Sequence, residues 1–314
     1  MKRLLLLVLA AVAAGLVGVA VAACGGDDTG ADDELTIVLD WFPNPDHAGL
    51  YAGIDGGDFA DEGLTVNPQV PSDPSAALKQ VGAGRAELAI SYQPTILQAR
   101  DEGIPVVATG AIVGQPLNSI IAREDRGIRR PRDLEGKKVG WPGIPINRPF
   151  LDTAVRADGG DPSKVDLQSV GFGLTPALAS GRVDAIIGAY WNIELVELEK
   201  RDVAANVFRL QENGVPNYDE LVVVASEKVL EENPDVVRRF LAGLAAGQER
   251  AAEDPEFATQ AVLNANPDLE EGVTAEQVDI TVPLLTQEGE EPLSLEPAAW
   301  AEFATWMQEN DLLG

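Results

Sequence analysis

A chain of 314 residues can form one large domain or two ordinary ones, and 45% hydrophobic against 24% charged residues is a globular balance. With 23 basic and 51 acidic side chains the net charge is −28, a field that repels phosphate backbones and anionic headgroups and argues against nucleic acid as a partner. Cys24 and His47 are the single cysteine and the single histidine. They leave no disulfide framework and no multi-Cys or multi-His metal site, so neither metal nor cofactor is expected.

Lys2 and Arg3 precede an apolar run from Leu4 to Ala23, the charged and hydrophobic regions of a secretory signal over 1–23. The run closes on Val21-Ala22-Ala23-Cys24-Gly25, which resembles the bacterial lipobox and marks Cys24 as the lipidated first residue of the mature chain. A membrane-spanning helix is the alternative, since about 20 apolar residues suffice to cross. Residues 24–34, rich in Gly and Asp, read as a tether. Without residues 1–23 the chain carries 21 basic and 51 acidic side chains, a net −30. The folded part is expected outside the cytoplasm, anchored by lipid to the outer face of the bacterial cytoplasmic membrane.

From Leu35 onward short apolar runs alternate with helical segments, the pattern of βαβ units. The expected strands are Leu35–Leu39, Leu64–Val70, Leu88–Ser91, Val106–Ile112, Lys137–Trp141, Val165–Val170, Ala185–Tyr190 and Leu221–Ala225. Helices are expected to open at Pro74-Ser75, at Pro131-Arg132-Asp133 and, running to Glu253, at Pro234-Asp235. The chain beyond Glu227 reads as mostly helical.

Gly84-Arg85-Ala86-Glu87-Leu88-Ala89-Ile90 returns 97 residues later as Gly181-Arg182-Val183-Asp184-Ala185-Ile186-Ile187. The echo suggests two similar lobes, although helix–Gly–strand connections recur in any α/β protein. The extended apolar segments Leu117–Ala122 and Tyr218–Ala225 then read as two crossings. The first lobe is discontinuous, 35–118 and 222–314, and the second is 119–221.

Of nine Trp and Tyr residues, seven fall at strand ends or crossings: Trp41, Tyr51, Tyr92, Trp141, Tyr190, Trp191 and Tyr218. Open parallel sheets bind ligands beyond the carboxyl ends of their strands, and rings gathered there offer a stacking surface for a flat ligand. Taken singly, each ring reads equally well as core packing.

Asp40-Trp41-Phe42-Pro43-Asn44-Pro45-Asp46-His47-Ala48-Gly49-Leu50-Tyr51, followed by Ser91-Tyr92-Gln93-Pro94, Gly140-Trp141-Pro142-Gly143-Ile144-Pro145 and Gly188-Ala189-Tyr190-Trp191-Asn192-Ile193-Glu194, resembles the thiamine-pyrimidine, or NMT1/THI5-like, family over almost the whole mature chain. That family includes extracytoplasmic binding proteins of ABC transporters and eukaryotic pyrimidine-precursor synthases. The resemblance implies a two-lobed α/β periplasmic-binding-protein fold of the second type, closing on its ligand about a hinge.

The synthases look as if they need a Lys and a His near the third strand and a run of cysteines near the second crossing. Here those places hold Ser91, Thr95 and Leu221-Val222-Val223-Val224, so binding without catalysis is expected. The motif loops supply aromatics with Asn44, His47, Asn192 and Glu194, and Arg148 is the only base nearby. A sulfonate or phosphate site wants Arg, Lys or free amides, whereas stacking rings and a carboxylate match an aminopyrimidine. The expected ligand residues are Trp41, Asn44, His47, Tyr51, Tyr92, Trp141, Gly143, Tyr190, Trp191, Asn192 and Glu194. His47 also reads as a structural cap, Glu194 as a solvated helix charge, and Gly143 as a strand end. The expected protein is a monomer that hands a thiamine pyrimidine precursor to an ABC permease; a riboflavin-like heterocycle, an aliphatic sulfonate and a pyrimidine synthase are the alternatives.

Overall fold

The computed structural model describes residues 33–286 and 291–314. The expected leader and Cys24 lie outside the described residues. No helix among the described residues is long and apolar enough to cross a membrane. Asp33 and Glu34, expected in the tether, belong instead to the first strand, where they pair with Leu64 and Thr65.

Among the described residues, ten strands form two five-stranded sheets. The first is built from β1 (Asp33–Val38), β2 (Leu64–Gln69), β3 (Leu88–Ser91), β4 (Val106–Val113) and β10 (Leu221–Ser226), in the order β2-β1-β3-β10-β4. The second is built from β5 (Asn118–Arg123), β6 (Lys138–Trp141), β7 (Asp166–Ser169), β8 (Ala185–Tyr190) and β9 (Ala205–Arg209), in the order β7-β6-β8-β5-β9. Neighbours pair in parallel among β1, β2 and β3 and among β6, β7 and β8; β10 and β5 each run antiparallel to both of their neighbours. Each sheet therefore receives one reversed strand directly after the chain arrives from the other sheet. The result is a two-lobed α/β fold.

The segments expected as crossings are for the most part these two reversed strands. Asn118 pairs with Tyr190 in the second sheet and Leu221 with Val113 in the first. The links themselves are the short runs 114–117 and 210–220. A strand buried on both faces and an extended linker share the same apolar composition, which is why the run alone does not separate them. In β10, Val222 and Val224 pack on one face while Leu221, Val223 and Ala225 pack on the other. The half-buried edge strand β9, Ala-Asn-Val-Phe-Arg, carries no apolar run and was not expected.

The long helix forms as read, Pro234–Glu253, capped by the Asn233 side chain. Pro131 opens only a 3-10 turn, Pro131–Leu134, and the helix expected at Pro74-Ser75 begins at Ala77. The two echoed segments are equivalent: a helix (Ala77–Gly82 or Leu174–Ala179), a turn, then β3 or β8. The helix Pro297–Glu309 lies against the second crossing, with Phe303 5.3 Å from Tyr218 and Trp306 6.2 Å from Phe150 between ring centroids. The Trp300 indole donates to Asp219 of that crossing at 2.6 Å.

Candidate functional site

Between the sheets lies a cavity of about 540 Å³ of empty space, its mouth included, bounded by residues from both lobes and the second crossing. The loop after β1 forms one wall. Asn44 ends the extended chain and caps a 3-10 turn, its Oδ1 accepting the Asp46 N–H at 2.8 Å and its Nδ2 donating to the Phe42 carbonyl. The Asn44 N–H donates to His47 Nδ1 at 3.3 Å, so Nε2 bears the ring proton and donates to Asp40 Oδ1 at 2.8 Å. Tyr92, at the end of β3, donates its hydroxyl to the other oxygen of Asp40 at 3.0 Å. His47 is thus a buried cap that holds Asp40 in place.

A second wall comes from the crossings. Glu220 Oε2 accepts the N–H of Leu117 and of Asn118 and the hydroxyl of Tyr218, at 2.8, 2.9 and 2.9 Å, while Oε1 accepts the Tyr190 hydroxyl at 3.2 Å. One carboxylate thereby ties the first crossing, the second crossing and the end of β8. Beside it the Gly188 N–H donates to Asn118 Oδ1, and Asn118 Nδ2 donates to Asn147 Oδ1 at 2.9 Å. This direction is set by the backbone amide, and it leaves Asn147 Nδ2 buried in the wall without a partner. Gly188 has φ 83°, and a Cβ there would lie 2.5 Å from Asn147 Nδ2, so only glycine permits the relay.

The lobes also meet directly. Asn192 Nδ2 donates to Asp46 Oδ1 at 2.7 Å and to Thr281 Oγ1 at 2.8 Å, and Gln277 Nε2 donates to the Ile193 carbonyl at 3.0 Å. Gln277 and Thr281 belong to the helix Glu271–Leu285. The loop after β8 is therefore clasped between that helix and the 3-10 turn. Trp41 meets Phe172 edge-on at 4.6 Å, and Phe42 lies 4.7 Å from the same ring.

The charge in this wall is all acidic. Asp40, Asp46, Glu194 and Glu220 line the cavity, and among the described residues no Lys or Arg does. Burial pushes Asp46 up to about 7 and Glu220 up to about 7. Glu194 rises to about 8, through burial first and the neighbouring charge of Glu197 second. Glu194 Oε2 accepts the Tyr190 N–H at 2.7 Å. Asp46 Oδ2 is buried with no hydrogen-bond partner. Burial also raises the hydroxyls of Tyr92, Tyr190 and Tyr218 well above the usual range, so they stay protonated and donate.

Of the residues expected at a ligand site, Trp41, Asn44, Tyr92, Tyr190 and Glu194 line the cavity together. His47, Tyr51 and Asn192 stand behind this wall; His47 and Asn192 hold Asp40 and Asp46, and Tyr51 packs edge-on to His47. Trp141, Gly143 and Trp191 are not brought to it. Trp191 instead lies under the Arg209 guanidinium, 4.2 Å from its ring centroid, and Gly143 makes a turn after β6 with φ 96°. The sequence reading passed over Asp40 and Asp46 inside its own motif, and Asn118, Asn147, Phe150 and Glu220 outside it. A signal for Glu220 existed: an acid set directly against a fully apolar strand, Leu221–Ala225, must be buried and therefore partnered.

Comparison with known proteins bears on both fold and site. The family model described as NMT1/THI5 like matches residues 44–258. The formylaminopyrimidine-binding protein of Halalkalibacterium halodurans is 35% identical over 91% of this chain and 89% of its own length. The 4-amino-5-hydroxymethyl-2-methylpyrimidine phosphate synthase of Aspergillus parasiticus is 26% identical over 75% of this chain and 71% of its own. Among solved structures, the alkanesulfonate-binding protein SsuA from Xanthomonas axonopodis pv. citri bound to MOPS superposes with a TM-score of 0.70 at 15% identity, covering 90% of this chain and 94% of that one. At that identity the likeness concerns the fold alone.

Proposed function

Since the chain belongs to the NMT1/THI5-like family, we propose that it is the extracytoplasmic solute-binding protein of an ABC importer and captures an aminopyrimidine precursor of thiamine for delivery to the permease. The observation that carries this reading is the composition of the cavity wall. Its rings, Trp41, Tyr92, Phe150, Tyr190 and Tyr218, offer flat faces, and its carboxyls offer acceptors without one cationic side chain among them. An aminopyrimidine presents the complement: two flat faces and an exocyclic amine that donates. Asp46 Oδ2 and Glu194 are the acceptors assigned to the two N–H groups of that amine. Asn147 Nδ2 is the donor assigned to a ligand acceptor. Asp40 and Glu220, already engaged by the chain's own donors, position the tyrosine rings.

A binding role fits this division better than a catalytic one, because the lone histidine is spent on Asp40. Closure of the two lobes about the crossings encloses the ligand, with Asn192 and Phe172 meeting Asp46 and Trp41. Lipidation of Cys24 keeps the monomeric protein at the membrane beside its permease; Cys24→Ser should release it from membranes, and acyl-free native protein would refute the anchor.

The deciding experiment is a mass spectrum of small molecules released from the purified protein, followed by calorimetry with 4-amino-5-hydroxymethyl-2-methylpyrimidine and its N-formyl-aminomethyl analogue. Binding of either at micromolar affinity or better is the expected result. Binding of an alkanesulfonate instead would overturn the pyrimidine assignment.

A further inference from the structure

Three helices begin at the cavity and contribute a first-turn residue to its wall: Gln93–Asp101 gives Pro94, Asn147–Ala157 gives Asn147, and Glu194–Lys200 gives Glu194. Helix starts of this kind are ready anion sites when their N–H groups are free. Here they are not. In the first helix the Gln93 N–H is bound to the Asp219 carbonyl, Pro94 has no N–H, and the Ile96 N–H is bound to Tyr92. In the second, the N–H groups of Asn147, Arg148 and Phe150 go to the carbonyls of Ile144, Pro145 and Ile146, and Pro149 has none. In the third, the chain supplies its own anion: the Glu194 carboxyl sits at the first helical position.

The side chains act in the same direction. Arg148 pairs with Asp152, Arg209 covers Trp191, and neither lines the cavity. Among the described residues, the only unpartnered buried side-chain donor in the wall is Asn147 Nδ2, and four carboxyls line the same cavity. An anion in this space must meet their charge or hold them all protonated, and it finds no bidentate cation in return.

We infer that the cavity is built to reject anions, so that the chain binds the pyrimidine in its unphosphorylated form and excludes the phosphate ester. This deepens the proposed function and rests on it. Attachment of a phosphate then belongs to a phosphoryl-transfer step that consumes the ligand after the protein has released it. The same geometry separates this site from a sulfonate site on a common fold, through two helix starts largely occupied by the chain and a third that carries the Glu194 carboxyl, rather than through a different architecture.

Calorimetry on the full-length protein with three probes tests it: 4-amino-5-hydroxymethyl-2-methylpyrimidine, its phosphate ester, and MOPS. The expected result is measurable binding of the first, about 100-fold weaker binding of the second, and no heat with MOPS. The double variant Asp46→Asn, Glu194→Gln should bring the affinities for the first two probes closer together by tenfold or more. Phosphate ester bound within tenfold of the free alcohol by the native protein overturns the inference while leaving the pyrimidine reading intact. Failure of both pyrimidines overturns that reading and the inference with it. Should the double variant not fold, the native comparison decides alone.

Discussion

Asp46, in the loop after β1, and Glu220, at the end of the second crossing, are both buried carboxyls of one cavity, and burial lifts each to about 7. Glu220 receives four hydrogen bonds from the chain, two from backbone amides and two from tyrosine hydroxyls. Asp46 receives one from Asn192, and its second oxygen has no partner. A buried acceptor costs free energy until it is met by a donor. A carboxyl filled by its own chain is thus part of the framework, and one left half-filled is suited to a visitor.

The contrast breaks most sharply on Glu220→Gln. An NH₂ group would face donors where an oxygen now accepts, and about 3 kcal/mol of unfolding free energy should be lost. An unchanged urea midpoint would deny Glu220 its framework role.

The pH response tests both carboxyls together. Asp46 and Glu220 at about 7 and Glu194 at about 8 hold protons in the fold that an unfolded chain, titrating near 4, has already released. Their stabilising contribution is complete below about pH 4 and is lost as the pH rises through 7 to 8. The ligand-free protein should therefore melt about 5 °C or more lower at pH 8 than at pH 5. Asp158, which Arg130 holds down near 2, loses its contribution only in stronger acid and stays outside this window. A melting temperature flat from pH 5 to 8 would contradict the burial of these three groups.

Asp46→Asn sharpens the comparison from the other side. It removes an unpaired buried acceptor and brings an amide that can donate to the unpartnered Asn192 Oδ1, so stability should hold or rise. Affinity for the aminopyrimidine should nevertheless fall about 10- to 30-fold. Equal affinity would remove Asp46 from the ligand's contacts. The smallest effect belongs to Tyr218→Phe, which deletes one of four donors to Glu220 and should cost about 1 kcal/mol in a denaturant titration.

The same contrast explains what could be read from the sequence. The motif around Trp41 and the loop after Tyr190 are contiguous, so their ring and amide residues stand out as a group. The two lobes were legible from the echoed helix–turn–strand units. Glu220 acts through Leu117 and Asn118, about a hundred residues earlier, and Asn147 through Asn118 and Gly188. Pairings at such distances leave no local pattern. Trp191 shows the opposite error: adjacency to Tyr190 placed it in the site by sequence, but successive residues of a strand end point to opposite sides, and its ring goes to Arg209.

The helix Ala48–Gly56 starts directly after the loop that carries Asp46 and His47, and it meets the helix Pro234–Glu253 through glycines. A Cβ added to Gly247 would lie 2.2 Å from the Gly49 carbonyl oxygen and 2.8 Å from the Gly53 Cα. At Gly247 the contact is backbone against backbone, so there no side chain can re-rotamerise and allow slack. The loop is in effect bolted to the frame of its own lobe. If the lobes close as proposed, a dye on the outer face of Pro234–Glu253 would be the stationary reference mark of a ligand sensor, and a second dye beyond the crossings, on the helix Asn147–Ala157, would carry the signal.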